Sequence, residues 1–445
     1  MISFVRPLAW LLAIIVALPA STAQAIDIKP LTSPGGVRYW LVQDSTVPII
    51  SINFSMAGGA VLDPVGKEGA TSLLASVLDQ GAGPHDAAAF KTLQDDAAAR
   101  LGFWAGAERF GGSLRMLRDA RTQSVDLLRL ALTEPRFDAE ALERLRRATI
   151  AGLRRGEEQP SSIAARALNR ATFGEHPYGR QVSGTAASVA AITLEDLKAL
   201  AARQLTRNNL IVAVVGDTNA QEIGPLLDRA FGALPSGGPL PEAPTWAPQP
   251  PKPGGRLLVV QRAIPQSLAL MSLPGIKRDD PDWYAATVMN YVLGGGGFSS
   301  RLMNEVRDRR GLAYGASSRL SYYAKGGLFT ASVATMNERV AESIAIIRAQ
   351  FTLMAQDGVT ERELTEAKQF LVGSLALTLD STASIAGLLH QMQVDGLSPD
   401  HLGRRKELLE RVTAEDVRRA ARRLLREDAL TIVVDCQPVG LTPTE

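Results

Sequence analysis

The sequence predicts an α+β protein made of two similar halves, because long segments recur at a constant spacing and a proline-rich stretch separates them. Residues 192–217 (ITLEDLKALAARQLTRNNLIVAVVGD) match residues 412–436 (VTAEDVRRAARRLLREDALTIVVDC). Residues 137–153 likewise match residues 359–375 at nearly the same offset. Residues 234–255 (LPSGGPLPEAPTWAPQPPKPGG) have the composition of a semi-rigid linker. We therefore predict an internal duplication.

Each copy contains a helix followed by a β-branched strand. The helices open with capping-box patterns, Thr193 with Asp196 and Thr413 with Asp416. The apolar runs at 48–59 and 265–275 also occupy corresponding places. We expect one domain over residues 26–233 and another over 256–445, each with a mainly antiparallel sheet packed on one face by helices.

Composition narrows the classes of function. Apolar residues make up 46% of the 445 residues, enough to bury full cores, and the formal net charge is +2. Nucleic acid is not an expected partner, since phosphate contacts need a concentrated basic surface. The single cysteine, Cys436, ends an apolar run and is expected to lie in the core.

The N-terminus has the pattern of a Sec-type signal peptide. In residues 1–25 one cation, Arg6, precedes an apolar run, and Ala23 and Ala25 fit a small-x-small cleavage site. The apolar run of eleven residues is too short to span a bilayer as a helix, although an uncleaved anchor remains the alternative. The sequence shows no other stretch long enough to span a membrane. We therefore expect a periplasmic protein.

The stretch GGGGFSSRLMNEVRDRRGLAYG, residues 294–315, at first suggests a nucleotide-binding loop. The preceding residues have helical rather than strand periodicity, Ser299 stands where a third glycine is needed, and no Walker lysine follows. The phosphate interpretation therefore fails. We predict a helix from about Ser299 to Arg310, which buries Leu302 and Val306 and ends at Gly311, followed by a strand.

Arg307 and Tyr314 lie seven positions apart, one late in this helix and the other on the strand. A guanidinium group and a phenol hydroxyl close together could hold a carbonyl or carboxylate group. Spacing alone favours the other interpretation, a surface arginine and a half-buried strand tyrosine without a shared role.

These residues resemble the insulinase/pitrilysin-type zinc peptidases, which include the mitochondrial processing peptidase and its bacterial relatives. The resemblance rests on the duplication, on residues 294–315, on FGEHPYGRQVSGT at 173–185 and on LIVAVVGD at 210–217. It covers nearly all of the mature chain. It implies the two-domain metallohydrolase fold of that family.

The family's inverted zinc motif, His-x-x-Glu-His, has no counterpart here. The matching stretch, GKEGATSLLASVLDQGA at 66–82, carries Ser72, Ala75 and Ser76 at the motif positions. The distal glutamate aligns with about Gly152, and Glu157 and Glu158 come one or two turns too late. The four histidines, His85, His176, His390 and His401, are scattered. We therefore expect no metal on this chain, and a structural loop role for His176.

The resemblance does retain the substrate-binding half of the family's active centre. It implies that Arg307 and Tyr314 contribute to a peptide-cleaving site shared with another subunit. It also implies that the glycine-rich loop borders a peptide channel, although a plain helix–helix turn explains the glycines equally well. The predicted substrate-binding residues are Gly294, Gly295, Gly296, Gly297, Phe298 and Ser299.

Three hypotheses follow. In the first, the chain is the non-catalytic subunit of an exported heterodimeric zinc peptidase whose homologous partner carries the zinc. In the second, it is a proteolytically inert scaffold of a larger complex. In the third, it is an independent hydrolase, for which the sequence offers no Ser-His-Asp or Cys-His set.

Overall fold

The computed structural model describes residues 26–240 and 243–444, and the predicted signal peptide lies outside the described residues. The first half forms a six-stranded sheet in the order β1-β2-β6-β3-β5-β4. Its strands are β1 (Lys29–Thr32), β2 (Arg38–Gln43), β3 (Ile49–Ala57), β4 (Arg100–Ala105), β5 (Arg109–Leu117) and β6 (Ile211–Gly216). Its helices are α1 (Ala70–Val77), α2 (Ala87–Asp96), α3 (Arg121–Thr133), α4 (Ala139–Glu157), α5 (Pro160–Phe173), α6 (Ala186–Ala190), α7 (Leu194–Gln204) and α8 (Ala220–Phe231).

The second half repeats this plan with a five-stranded sheet in the order β7-β11-β8-β10-β9. Its strands are β7 (Arg256–Val260), β8 (Gln266–Pro274), β9 (Ala313–Tyr323), β10 (Gly326–Met336) and β11 (Thr431–Asp435). Its α-helices are α9 (Trp283–Asn290), α10 (Val340–Asp357), α11 (Glu361–Gly373), α12 (Thr382–Val394), α13 (His401–Glu410) and α14 (Ala414–Leu424).

The two sheets have matching topology. In each, one pair is parallel, β2 with β6 and β7 with β11, and every other pair is antiparallel. The corresponding apolar runs of the sequence form β3 and β8, which lie inside their sheets. The predicted α+β class with mainly antiparallel sheets is therefore confirmed.

The predicted capping boxes are present at the N-termini of α7 and α14. The Thr193 side chain accepts from the Asp196 amide while the Asp196 side chain accepts from the Thr193 amide, and Thr413 and Asp416 do the same. Hydrogen bonds from Lys67 and from the Thr193 amide lower the pKa of Asp196 to about 2. These reciprocal bonds satisfy backbone donors that a helix start otherwise leaves unpaired.

Each half has its own apolar core, but the two halves also exchange a helix. The second half's α12 packs across β3 and β6 of the first sheet, where Ile385 and Leu389 join Val215 in a buried cluster. The first half's α5 packs in the same way across β8 and β11 of the second sheet. Helices therefore cover both faces of each sheet, and the second face is covered by the opposite half.

Polar side chains fix the position of each exchanged helix. On α12, Thr382 lies 2.9 Å from the Ser51 hydroxyl, and the Nε2 atom of His390 lies 2.6 Å from the Ser55 hydroxyl. On α5, Thr172 hydrogen-bonds with Ser272 at 2.7 Å. These contacts are buried, so each polar group depends on its partner from the opposite half.

The burial of His390 makes the stability of this junction depend on pH. Desolvation, with a smaller contribution from Arg109, lowers the pKa of His390 from 6.5 to about 4. Between these two pKa values the unfolded chain binds more protons than the folded chain. The neutral His390 side chain therefore contributes its full stabilisation of the folded state above pH 6.5, and this contribution is lost as the pH falls toward 4. The expected loss is on the order of 3 kcal/mol in the free energy of unfolding.

Urea denaturation of the wild type and of His390→Gln across this pH range tests the prediction. Glutamine keeps an acceptor for Ser55 but does not titrate, so the variant should lose less stability than the wild type as the pH falls. Carboxylates titrate in the same range, so the informative quantity is the difference between the two curves. Parallel curves would show that His390 is not the group responsible.

The segment between the two halves lies against the protein. No helix or strand occurs between Phe231 and Arg256 in the part of it that the structure describes. Trp246 is buried in a cluster with Phe173, Tyr178 and Leu328, which come from both halves. The proline-rich linker therefore contributes to the contact between them.

The length and apolarity of the helices in the described residues bear on whether any of them could span a membrane. None of them alone is long and apolar enough to cross a bilayer. Residues Glu361–Thr378 and Thr382–Val394 meet the length and composition only when taken together, across a bend of 120°.

Candidate functional site

The glycine-rich segment links two helices, as predicted, but its glycines are distributed differently than expected. Helix α9 continues into a π-helical turn, Tyr291–Gly295, so Gly294 and Gly295 belong to the first helix rather than to the loop. A short 3₁₀ turn, Gly297–Ser299, follows. The next helix occupies residues 301–308, with its π-helical part at Met303–Asp308.

The glycines at the two ends of the run serve different needs. A β-carbon on Gly294 would lie 2.5 Å from the Ser318 backbone nitrogen on β9, so only glycine lets this helix approach the strand. Gly297 has a φ of +61° and no atom within 4 Å of a built β-carbon, so it supplies a left-handed turn in open space. Close packing and turn geometry therefore account for these two glycines.

The second helix is anchored by its apolar face. Leu302 and Val306 are fully buried, as predicted, and Gly311 ends the segment with a φ of +59°. Arg301 donates from Nε and Nη2 to the Glu363 carboxylate, both at 2.7 Å. Burial alone would raise the pKa of Glu363, but the bonds from Arg301 and the Thr360 amide outweigh it and lower that pKa.

Arg307 and Phe298 come together on the exposed side of this helix. The Arg307 guanidinium lies 4.7 Å from the centroid of the Phe298 ring, a cation–π contact. Phe298 is 71% exposed, and the Arg307 side chain is 39% exposed. The guanidinium thus lies against Phe298 on one side, has its Nη1 atom 3.8 Å from the Asp308 carboxylate, and is partly open to solvent.

Tyr314 is the second residue of β9 and is 94% exposed. Within the part of the chain that the structure describes, its hydroxyl has no hydrogen-bond partner. Arg307 and Tyr314 therefore present a cationic donor and a phenol hydroxyl from consecutive elements to solvent. The structure does not join the two side chains by a hydrogen bond, and their shared role stays a prediction.

An open cleft of about 610 Å³ lies beside the glycine-rich segment. It is bordered by Ser299, Ser300, Arg301 and Asn304 on one side and by the start of α11 on the other. Arg307 and Tyr314 do not line this cleft. Of the predicted substrate-binding residues, only Ser299 faces it.

The helix at the zinc-motif position, α1, is intact although its motif residues cannot bind zinc. Ser72, Ala75 and Ser76 all lie on it, and the Ser76 hydroxyl donates to the Leu73 carbonyl at 2.9 Å. The Asp63 carboxylate accepts from backbone amides at the start of the helix. The helix is therefore stabilised by its own hydrogen bonds.

The other positions of the family's zinc site do not fit the metal either. Gly152 lies in α4 without a ligating side chain, and Glu157 and Glu158 are exposed beyond it. In residues 26–240 and 243–444, no group of three or more histidine, cysteine or acidic side chains could hold a metal ion. Hydroxyl and methyl groups at the motif positions do not match the ligands of zinc.

Two predictions about single residues are confirmed. His176 accepts from the Tyr178 amide through Nδ1 at 3.1 Å and bonds the Pro244 carbonyl through Nε2 at 2.8 Å, so it is a structural loop histidine. Cys436 is fully buried, with its sulfur 2.7 Å from the Ser267 hydroxyl.

Sequence reasoning missed one polar cluster, in which Ser55, Arg109 and His390 meet at the junction of the halves. Ser55 and His390 lie 335 positions apart in the chain. No local pattern connects residues at such a separation. Only the exchange of α12 brings them together.

Comparison with known sequences identifies relatives along most of the chain. A family model of the peptidase M16 inactive domain matches residues 191–371. An uncharacterized zinc protease of Mycobacterium bovis is 28% identical over 410 residues, which cover 92% of this chain and 93% of that protein. The non-peptidase homolog YmxG of Helicobacter pylori is 28% identical over 375 residues, which cover 84% of this chain and 85% of the relative.

Solved structures agree with this relationship. The crystal structure of a peptidase M16 inactive domain from Pseudomonas fluorescens has a TM-score of 0.87 at 28% identity, covering 94% of this chain and 100% of that one. A chain of complex III2 from Candida albicans has a TM-score of 0.77 at 16% identity, covering 92% and 96%. The second likeness concerns the fold alone.

The duplicated fold, together with a zinc-motif helix that lacks metal ligands, defines a class: inactive homologues of zinc metallopeptidases. By sequence and by structure the chain is similar to the M16 peptidase family, in particular to its inactive domain and to a non-peptidase homologue. The resemblance found in the sequence is thereby confirmed.

Proposed function

We propose that this chain is the substrate-binding subunit of an exported heterodimeric M16 peptidase. The observation that carries the proposal is the contrast between the two parts of the family's site. The zinc positions are occupied by Ser72, Ala75 and Ser76, whereas Arg307 and Tyr314 are kept and exposed. The signal-peptide pattern of residues 1–25 supports a periplasmic location.

The partner in this proposal is a homologous subunit with an intact zinc motif. It would hold the zinc ion, whose Lewis acidity supplies the hydrolytic chemistry. This chain binds no cofactor of its own in the proposal. Its contribution is to hold the peptide against the partner's site.

The two exposed side chains suit that task. The Arg307 guanidinium, stacked on Phe298, offers fixed donors to a peptide carbonyl or an acidic side chain. The Tyr314 hydroxyl can donate a hydrogen bond to the carbonyl being cleaved as negative charge develops on its oxygen. Gly297, with open space around it, lets an extended peptide pass close to the backbone.

Peptidase assays on a quenched peptide library test the proposal with three samples: this chain, a zinc-motif homologue from the same genome, and their mixture. We expect cleavage only in the mixture, and its loss when a chelator is added. Activity of the homologue that is unchanged by this chain would contradict the proposal. An absence of activity from all three samples would favour the scaffold hypothesis.

A further inference from the structure

A second cavity, of about 530 Å³, lies at the junction of the two halves. Its walls come from the β4–β5 hairpin of the first half, the segment 277–279 after β8, the β9–β10 hairpin of the second half and the end of α12. No residue of the glycine-rich segment lines it. Its volume falls within the range of pockets that hold small molecules, about 300–1,000 Å³.

The two hairpins are fastened to each other. The Glu108 carboxylate accepts from the Ala324 amide at 3.0 and 3.1 Å and from the Tyr178 hydroxyl. The Tyr178 hydroxyl also accepts from the Lys325 amide at 3.2 Å. The cavity therefore has walls fixed by bonds between the halves, as a preformed site requires.

Arg109 is a cation on this wall without a paired anion. Its Nε donates to the Ser55 hydroxyl at 2.6 Å, and its Nη2 donates to the carbonyls of Ser55 and Asn209 at 3.0 and 3.1 Å. All three acceptors are neutral, and no carboxylate of the described residues lies within 4 Å of the guanidinium. Burial, partly offset by the charge of Glu108, lowers the pKa of Arg109 to about 10.

His390 supplies a second donor. Because the Ser55 hydroxyl already accepts from Arg109, we assign its own hydrogen to the 2.6 Å bond with His390 Nε2. The neutral ring then carries its proton on Nδ1. Among the described residues, Nδ1 has no hydrogen-bond partner.

The acidic groups of the cavity, in contrast, are already supplied with donors. Both oxygens of Asp395 accept from the Tyr322 hydroxyl, at 2.9 and 3.0 Å, and one accepts from the Gln391 amide at 2.7 Å. Glu108 is bonded as described above. Arg278 also lines the cavity, with its Nε atom 3.7 Å from Asp395, and at the rim Lys277 lies 3.5 Å from Asp279. The hydrogen-bonding capacity that is left over is therefore that of donors.

We propose that this cavity binds a carboxylate group, with Arg109 and the Nδ1–H group of His390 as its donors. A charged guanidinium that is half-buried against neutral oxygens gains from a ligand that brings the missing negative charge. The aromatic ring of Trp104, edge-on to His390 at 6.0 Å between centroids, provides an apolar wall. The ligand is a small organic acid or the C-terminus of a short peptide, and the site does not require a partner subunit.

Isothermal titration calorimetry on the purified full chain tests this with three probes. They are the tripeptide glycyl-glycyl-phenylalanine with a free carboxylate, the same tripeptide as its C-terminal amide, and sodium benzoate. We expect the free acid to bind at least about tenfold more tightly than the amide, because a bond to a charged group is lost in the amide. If benzoate binds as tightly as the free-acid tripeptide or more tightly, the ligands of the cavity are small organic acids. If benzoate binds more weakly than that tripeptide, the ligands are peptide C-termini.

Two variants and one control locate the site. Arg109→Met should weaken binding of the free acid by about tenfold or more, and His390→Gln by a smaller factor. Arg100→Ala, which removes an exposed arginine from the neighbouring strand β4, should leave binding unchanged. If Arg109→Met does not fold, the affinity of His390→Gln and the comparison of acid with amide still show whether the cavity binds a carboxylate group. Equal binding of acid and amide, no binding at about 10 mM, or wild-type affinity in a folded Arg109→Met would overturn the proposal.

Discussion

Arg307→Ala is expected to lower kcat/KM of the mixed subunits by about a hundredfold, which is the effect of removing one donor from a transition-state site. The structure explains why alanine removes the whole function of this side chain. The guanidinium lies against Phe298, is within 3.8 Å of the Asp308 carboxylate, and is 39% exposed to solvent. The described part of the chain holds no second arginine on that ring.

Kinetics of the mixture on one cleavable peptide measure this effect. Arg309→Ala is the matched control, because Arg309 lies two positions away, is exposed and pairs with Glu305 rather than with the candidate site. Tyr314→Phe keeps the ring and removes only the hydroxyl, so a loss in kcat rather than a rise in KM would indicate a role in the transition state. If Arg307→Ala and Arg309→Ala behave alike, Arg307 has no role in cleavage.

Gly216→Ala is expected to lower the free energy of unfolding by about 4 kcal/mol, the combined cost of overpacking and left-handed backbone strain. Gly216 ends β6 with a φ of +141°, and a β-carbon there would lie 2.1 Å from the carbonyl oxygen of Ile49. That oxygen belongs to the neighbouring strand β3 and cannot move without breaking the ladder between the strands. Urea denaturation at neutral pH gives the value directly.

The duplication provides the control. Cys436 occupies the corresponding position in the second half with a φ of +138°, and its side chain is accommodated beside Ser267. Cys436→Gly should change stability by less than about 1 kcal/mol, since relief of strain and loss of packing oppose each other. If Gly216→Ala is as stable as the wild type, the prediction is wrong, and the backbone of the first sheet can shift to accommodate the added methyl group.

Much of the fold could be predicted from local patterns. The capping boxes at Thr193 and Thr413, the helix before the glycine run and the strand after it each depend on residues within a few positions of one another. Helix caps and apolar periodicity express short-range hydrogen bonding and steric rules, so they are readable in the sequence. The boundary inside the glycine run was less predictable, because Gly294 is required by contact with Ser318 rather than by a turn.

The candidate site was only partly predictable. The resemblance pointed to Arg307 and Tyr314, but the stacking of Arg307 on Phe298 depends on how the 3₁₀ turn folds back. No pattern in the sequence predicted the cavity at the junction of the halves. Arg109 lies in a hairpin and His390 in a helix of the other half, and each has an ordinary sequence neighbourhood.

The sequence by itself determined that this protein is a duplicated α+β chain, that Ser72, Ala75 and Ser76 stand where the resemblance places the zinc motif, and that Arg307 and Tyr314 stand where it places a substrate-binding pair. These facts are matters of residue identity and local spacing. Only the tertiary structure decided that the halves exchange α5 and α12, and that Ser55 and His390, 335 positions apart, share one buried hydrogen bond. The physical reason is that exposed sheet faces must be covered by whichever apolar surface the chain brings to them, and that choice depends on the whole fold rather than on any local pattern.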